Sequence, residues 1–455
     1  MKRNQRPRTC LAAICASSVM LVMFGNLGVL PARGDDWPQW MGPQRDGVWR
    51  ETGVLERFPP RGPKVLWRVP VAGGYSGPAV ASGKVVVMDY LRSEGEATND
   101  PGGRATLKGK ERVLCFRASD GQLLWKREYD CPYSISYPAG PRTTPAIAEG
   151  KVYTLGAEGH LLCLELNDGK VLWSKDLRKE YRVETPLWGF CGHPLVDGKT
   201  LYCLVGGEGS VAVAFDKDTG QERWRALSAS EPGYCPPTLI QAGGRRQLVI
   251  WHPEAVNGLD PETGALFWSQ PLRPQYAMSI AVPRQAGEFL FVSGIGKCAA
   301  LYRLDATRPD AQVVWIAKPN QAVFCGASTP FIDGDTIYGN DCEVGNLRAV
   351  RLATGERLWE TFEPTTGETR RASHGTVFIT RQADRYFLFS ETGDLIIARL
   401  TPEKYEEVSR AHLLEPTNEA FGRPVVWCHP AYAQRCIFVR NDKELLCASL
   451  ADDQP

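Results

Sequence analysis

Eight residues of this chain pair a useful side chain with a recurring local setting: Arg142, Trp188, His193, Tyr234, Tyr276, Phe324, His374 and Arg423. Each lies in a short phrase directly ahead of or opening a strand-like run: YPAGPRTTP, LWGFCGHP, GYCPPT, QYAMS, VFCGASTP, RASHG and AFGRP. Aromatic rings with Arg and His at the rim suit a small ligand or a peptide. The same residue types anchor protein interfaces. Arg142, His193, His374 and Arg423 would point into a shared channel, where a quinone or another anion needs cations. The competing reading is that the rings pack between structural units and nearby acids, such as Glu158, Glu208 and Glu391, are solvated loop tips. These residues make no catalytic constellation, so no catalytic residue is assigned.

Other chemistry is thin. The cluster NDCEVGN (340–346) offers oxygen atoms for Ca²⁺ but too few spaced carboxylates, and reads as a turn. No Cys-x-x-Cys-His and no zinc-ligand spacing occurs, so no metal site is expected. Of the 14 cysteines, Cys115, Cys163 and Cys447 follow a leucine in the same strand register and read as small buried hydrophobes. Others could pair in an exported chain, but spacing alone gives no pairing.

The elements that must position these residues come from a repeat. The phrases CFRASDGQLLW, CLELNDGKVLW, AFDKDTGQERW, GLDPETGALFW and AVRLATGERLW end at Trp125, Trp173, Trp224, Trp268 and Trp359, with a degenerate copy ending at Trp315. The tryptophans are 48, 51, 44, 47 and 44 residues apart. Each unit reads as four short β-branched or aromatic strands, joined by Asp-x-x-Thr-Gly-type turns whose Gly supplies a positive φ. Four-stranded units of that period, repeated radially, predict an all-β propeller. Strand-like starts at Gly77, Thr143, Cys191, Cys235, Ala277, Cys325, Ala372 and Phe421 count eight blades. Seven is the competing count, since the last two units lack the tryptophan phrase. The final unit supplies three strands, and PKVLWRVPV (63–71) has no blade of its own, so it is expected to close the ring. The tryptophans are assigned to packing between blades, with their N–H groups on backbone.

The predicted organisation is a processing or anchoring segment (1–34), a lead-in (35–62) and the propeller (63–455). Lys2, Arg3, Arg6 and Arg8 precede an apolar stretch, and Ala32-Arg33-Gly34 suits cleavage. Either cleaved or retained as a membrane anchor, this segment places the propeller outside the cytoplasm, in the periplasm or beyond the cell. Removing it takes away five basic residues and no acidic one, so 53 basic and 52 acidic residues become 48 and 52. That balance gives no electrostatic case for nucleic acid.

The repeat phrase resembles the pyrroloquinoline quinone (PQQ) repeat of the quinoprotein alcohol dehydrogenase-like β-propellers, and DWPQWMGPQRDGVWRETG (36–53) resembles the lead-in of their secreted members. The resemblance implies one of two classes: PQQ-dependent dehydrogenases, or non-catalytic propellers such as the scaffold of the outer-membrane β-barrel assembly machinery. PQQ and Ca²⁺ are implied by the first class only. Its members carry an adjacent Cys-Cys pair, an acidic base in a Trp-Asp-x-Asp-type phrase and long covering loops. This chain has no Cys-Cys pair and no such phrase, and only residues 91–110 form a long insertion. The expectation is therefore an exported module that binds a protein, peptide or small molecule on its funnel face, with a divergent dehydrogenase as the alternative.

Overall fold

Alternating short strands and Gly turns do what the repeat predicts. The computed structural model, which describes Met1, residues 35–367 and residues 371–452, contains eight four-stranded antiparallel blades. The expected export segment (1–34) lies outside the described residues, apart from Met1. Blades one to seven span residues 79–130, 146–176, 195–226, 238–271, 284–316, 331–361 and 377–412. Blade eight combines Ala431–Ala433, Cys436–Arg440 and Glu444–Ser449 with Lys64–Pro70 as its outer strand, Trp67 lying opposite Cys447. The N-terminal strand therefore closes the ring, and the seven-blade alternative falls. The only α-helix among the described residues is Leu177–Tyr181, and none is long and apolar enough to cross a membrane.

The last strand start is placed differently from expectation. Blade seven begins at Val377 and blade eight at Ala431. Phe421 instead tips a separate hairpin, Asn418–Ala420 with Arg423–Val425. A glycine-containing phrase ahead of a strand looks like a blade start whether it enters the blade or turns back first.

The core lies in the seams between blades. Tyr153 and Leu161 of blade two meet Leu201 and Phe215 of blade three, and Phe291 and Leu301 of blade five meet Ile337 and Val350 of blade six. The last seam joins Phe387, Phe438 and Phe116 of blades seven, eight and one. Every repeat tryptophan sits just past a register shift in its outer strand, as at Cys163 and Leu164 opposite Trp173 and Val171. The indole then reaches the next blade. Trp67, Trp125, Trp173, Trp224, Trp315 and Trp359 donate to the backbone oxygens of Ala118, Leu166, Lys217, Pro261, Leu352 and Thr401 at 2.8–3.0 Å. Trp268 departs, donating at 2.6 Å to Gln247 of its own blade. In blade seven the equivalent position is Ser409, whose Oγ accepts the N–H of Phe58 from the lead-in.

The lead-in is no loose tail. Residues 37–49 touch every blade at or just ahead of its inner strand. Trp37 exchanges backbone bonds with Val80, and Pro38 accepts from Ile147. Arg45 donates to Pro194 O and Pro237 O, and Arg284 donates to Asp46 O at 2.7 Å. Val48 packs on the cluster of Phe331, Gly47 accepts from Arg381, and Trp49 lies 5.1 Å from the ring of Tyr432. That circuit runs through all eight blades. It seats Trp40 against the inner ends of the blades.

None of the twelve cysteines among the described residues is in a disulfide. The 340–346 cluster is a turn: Asp341 accepts the N–H groups of Glu343 and Val344 and is ion-paired with Arg348.

Candidate functional site

The segments that lead into the inner strands converge on one cavity of about 630 Å³. Tyr75 arrives with blade one, Tyr137 and Arg142 with blade two, and Trp188, Cys191 and His193 with blade three. Tyr234, Tyr276, Thr329, His374 and Trp427 represent blades four to eight. Pro101 and Gly102, from the long hairpin insertion of blade one, also line it. Arg104 holds that insertion in place by donating to Ser134 O at 2.6 Å and Thr185 O at 2.9 Å. Trp40 forms the base, stacked on His193 at 4.8 Å, with His429 edge-on to both. The shape is a cup rather than a through-channel, because the lead-in crosses beneath it.

Six of the eight residues expected to bind ligand line this cup: Arg142, Trp188, His193, Tyr234, Tyr276 and His374. Phe324 does not. It is 1% exposed, in the seam of blades five and six with Phe291 and Ile337, below the Arg357 guanidinium. Arg423 lies outside the lining as well, and is held by Glu391 at 2.7 and 3.2 Å. Glu391, far from a solvated loop tip, is 2% exposed; it also accepts from Trp427 Nε1 at 3.0 Å and from Thr376 N at 2.9 Å. The pair thus positions Trp427 instead of presenting a free cation. Sequence reading missed Trp40, Trp427 and His429. The first lies in the lead-in, outside the repeat, and the others follow a hairpin whose sequence resembles a strand start.

The electrostatics also differ from a rim of cations. Burial, then His429 and Arg45, hold the His193 imidazole well below its usual range. Its Nδ1 accepts from Thr144 N at 2.8 Å, which leaves any proton on Nε2. Burial lowers His429 to about 3, and burial with Arg423 lowers His374 to about 4. All three are neutral at pH 7. Burial pushes the Cys191 thiol up to about 11, opposed by Arg142. Arg142 is thus the one cationic side chain in the described lining, and no carboxylate is among it. Its guanidinium donates to Gly140 O, Ser136 O and Tyr137 O at 2.6–2.7 Å and lies 5.2 Å from the Tyr75 ring.

The backbone is strained where it presents these groups. Tyr137, Tyr276, His374 and Phe421 line the cup at φ of 48°, 58°, 56° and 50°. Bulky residues rarely adopt this region, and such outliers cluster at functional sites. Tyr276 is 68% exposed despite its ring. Buried Trp40 Nε1 and Tyr137 Oη have no hydrogen-bond partner among the described residues, which suits an acceptor on a ligand.

The lining does not fit PQQ with Ca²⁺. That quinone carries three carboxylates, and the described lining offers a single cation and no carboxylate for the metal. A general base is also lacking, because imidazoles titrating near 3 or 4 are poor proton acceptors at neutral pH.

Comparison with known proteins places the scaffold. Among solved structures, BamB from Moraxella catarrhalis aligns with TM-score 0.54 at 13% identity, over 86% of this chain and 98% of that one. Quinohemoprotein alcohol dehydrogenase from Comamonas testosteroni aligns with TM-score 0.59 at 13% identity, over 92% and 81%. A europium-containing methanol dehydrogenase gives 0.54 at 12%, over 89% of each chain. At such identities these likenesses show the fold alone. No curated protein sequence matches significantly. The family profile described as outer membrane protein assembly factor BamB matches residues 51–178, 109–275 and 207–454. Those three overlapping stretches take in nearly the whole propeller, and the chain belongs to this PQQ-repeat β-propeller family.

Proposed function

We propose that this protein is an exported, non-catalytic propeller that binds a planar, largely apolar small molecule with one anionic group in its aromatic cup. The observation that carries the reading is the lining itself: an aromatic cup of about 630 Å³, closed at its base, with one cation, Arg142, and neutral histidines. Volumes of this order suit small ligands. The aromatic faces would stack on the planar body, Arg142 would meet the anion, and Trp40 Nε1 and Tyr137 Oη would donate to acceptors. Export rests on the basic and apolar N-terminal segment.

A panel of planar aromatic monocarboxylates, their uncharged amides, and PQQ with Ca²⁺ tests this by tryptophan fluorescence and thermal shift. The carboxylates should quench fluorescence and raise the melting temperature, their amides less so, and PQQ with Ca²⁺ should do neither. Tyr276→Ala, an exposed truncation, should weaken binding about tenfold at unchanged melting temperature, by loss of about 1.4 kcal/mol of stacking. No response to any carboxylate at millimolar concentration would end the reading; saturation by PQQ with Ca²⁺ would favour the dehydrogenase alternative.

A docking role has one observation in its favour. Val65 and Leu66, Leu123 and Leu124, and Val171 and Leu172 are exposed on the outer strands of blades eight, one and two, which are consecutive. Apolar pairs on outer strands suit a protein partner. Leu124→Glu combined with Leu172→Glu would abolish association with an envelope assembly partner under this reading and leave cup binding unchanged.

A further inference from the structure

The seam of blades one and two holds a second cluster, none of whose residues lines the cup. Glu111 lies on the third strand of blade one, Cys131 just past its outer strand, and His160 at the start of the third strand of blade two. One ligand atom from each lies within 4.8 Å of the other two. Sequence spacing hid them, since two blades must pack before they meet.

Glu111 is fully buried and makes no ion pair among the described residues. Its carboxylate accepts three hydrogen bonds: from Tyr133 Oη at 2.6 Å, from Ala157 N at 2.8 Å and from Tyr129 Oη. A buried charge without an opposite charge is costly, and metal coordination is one of the ways proteins offset it. Cys131 is also fully buried, with Sγ 3.7 Å from His160 Nδ1. A tetrahedral zinc with bonds of about 2.3 Å to sulfur and about 2.0 Å to nitrogen sets those atoms about 3.5 Å apart. The Cys131–His160 pair already has about that spacing, and a Glu111 carboxylate oxygen lies within 4.8 Å of both. His160 is only partly buried, which gives an ion a way in. Tyr129 bonds Glu111 and lies 5.1 Å from the His160 ring, where it would orient the ligands from outside the coordination sphere.

We propose that Glu111, Cys131 and His160 form a zinc site that staples blade one to blade two. Thiolate, imidazole and carboxylate together suit Zn²⁺ better than Ca²⁺ or Mg²⁺. On binding, the Cys131 thiol loses its proton to solvent, Sγ bonds the metal, and a water takes the fourth place. The site would tie Tyr129 and Tyr133, and so the base of the long insertion over the cup, to the second blade.

Chelator-stripped protein titrated with Co²⁺ as a spectroscopic stand-in should bind one equivalent. It should show a thiolate-to-cobalt charge-transfer band with tetrahedral visible bands, all removed by added Zn²⁺. Zn²⁺ alone should raise the melting temperature. His160→Gln, at a partly exposed position that leaves the core intact, should weaken Co²⁺ binding at least about tenfold. Cys131→Ala should remove the thiolate band. Absence of that band in the parent protein overturns the proposal, as does unchanged Co²⁺ affinity in His160→Gln, or a full-strength band in Cys131→Ala, which would place the metal on another of the twelve thiols.

Discussion

At the scale of single residues, charge state separates what the sequence names from what the fold makes of it. His193 and His374 are visible as polar residues ahead of inner strands, but burial removes their charge, and only Arg142 remains as a cation in the cup. Residue type alone cannot report desolvation, nor reveal that Glu391 neutralises Arg423. The consequence is a stability profile with a definite sign. A histidine whose folded pKa is depressed binds fewer protons in the native than in the unfolded state between the two values, so stability rises with pH there. For His374 and His429 the contribution is complete above about 6.5. It is lost as pH falls toward about 4 and 3. The melting temperature should therefore hold from pH 8 to 7 and drop by several degrees between pH 6.5 and 4. His374→Asn, which tolerates the positive φ of 56°, should flatten part of that slope in calorimetric scans. A slope unchanged in this variant would show that His374 is solvated.

At the scale of elements, the repeat phrase was legible because one steric arrangement generates it. In the turn of each phrase, Gly takes a positive φ, 68° at Gly169, and a methyl there would come within 2.4 Å of the Trp125 ring of the preceding blade. Gly220 and Trp173 repeat the arrangement. The Gly and Trp of a phrase are therefore coupled across blades, not within one. Trp125→Ala should cost about 3–5 kcal/mol, since the indole is 8% exposed and donates to Leu166 O. Gly169→Ala should cost at least about 1 kcal/mol for the backbone alone, with the clash added. In the Trp125→Ala background the clash disappears, so the two losses should sum to more than the double-variant loss. Strict additivity in urea unfolding would mean that the two residues do not touch. What the pattern could not convey is the exception at Trp268. There Gln247 of the same blade takes the indole N–H, and no residue in the phrase itself signals it.

At the scale of the whole molecule, ring closure could be read from a spare strand, whereas the plug could not. A leftover PKVLWRVPV run and an incomplete last blade are local facts that fit each other. The circuit of residues 37–49 past eight inner strands joins partners separated by up to several hundred positions, and no periodicity records it. The plug does two jobs that one deletion can separate. Trp37, Trp40 and Trp49 are 3%, 3% and 1% exposed, so the segment buries three indoles against the blades. Trp40 is also the base on which a cup ligand would rest. Removing residues 35–50 while keeping Lys64–Pro70 should lower stability by at least about 5 kcal/mol, as expected for the loss of several buried aromatics. Far-ultraviolet circular dichroism should keep its β signature, because no blade loses a ladder strand beyond the two-residue pairing of Val48 and Trp49 with blade seven. Trp40→Ala alone should spare most of that stability yet weaken any cup ligand, because its partner His193 is still held by Thr144 N and its partner His429 still packs on Phe378. If the deletion melted with the parent protein, the lead-in would be a passenger and the cup would have to be sealed by something else. If Trp40→Ala bound ligand as tightly as the parent, the base of the cup would lie elsewhere and the site would reduce to its rim.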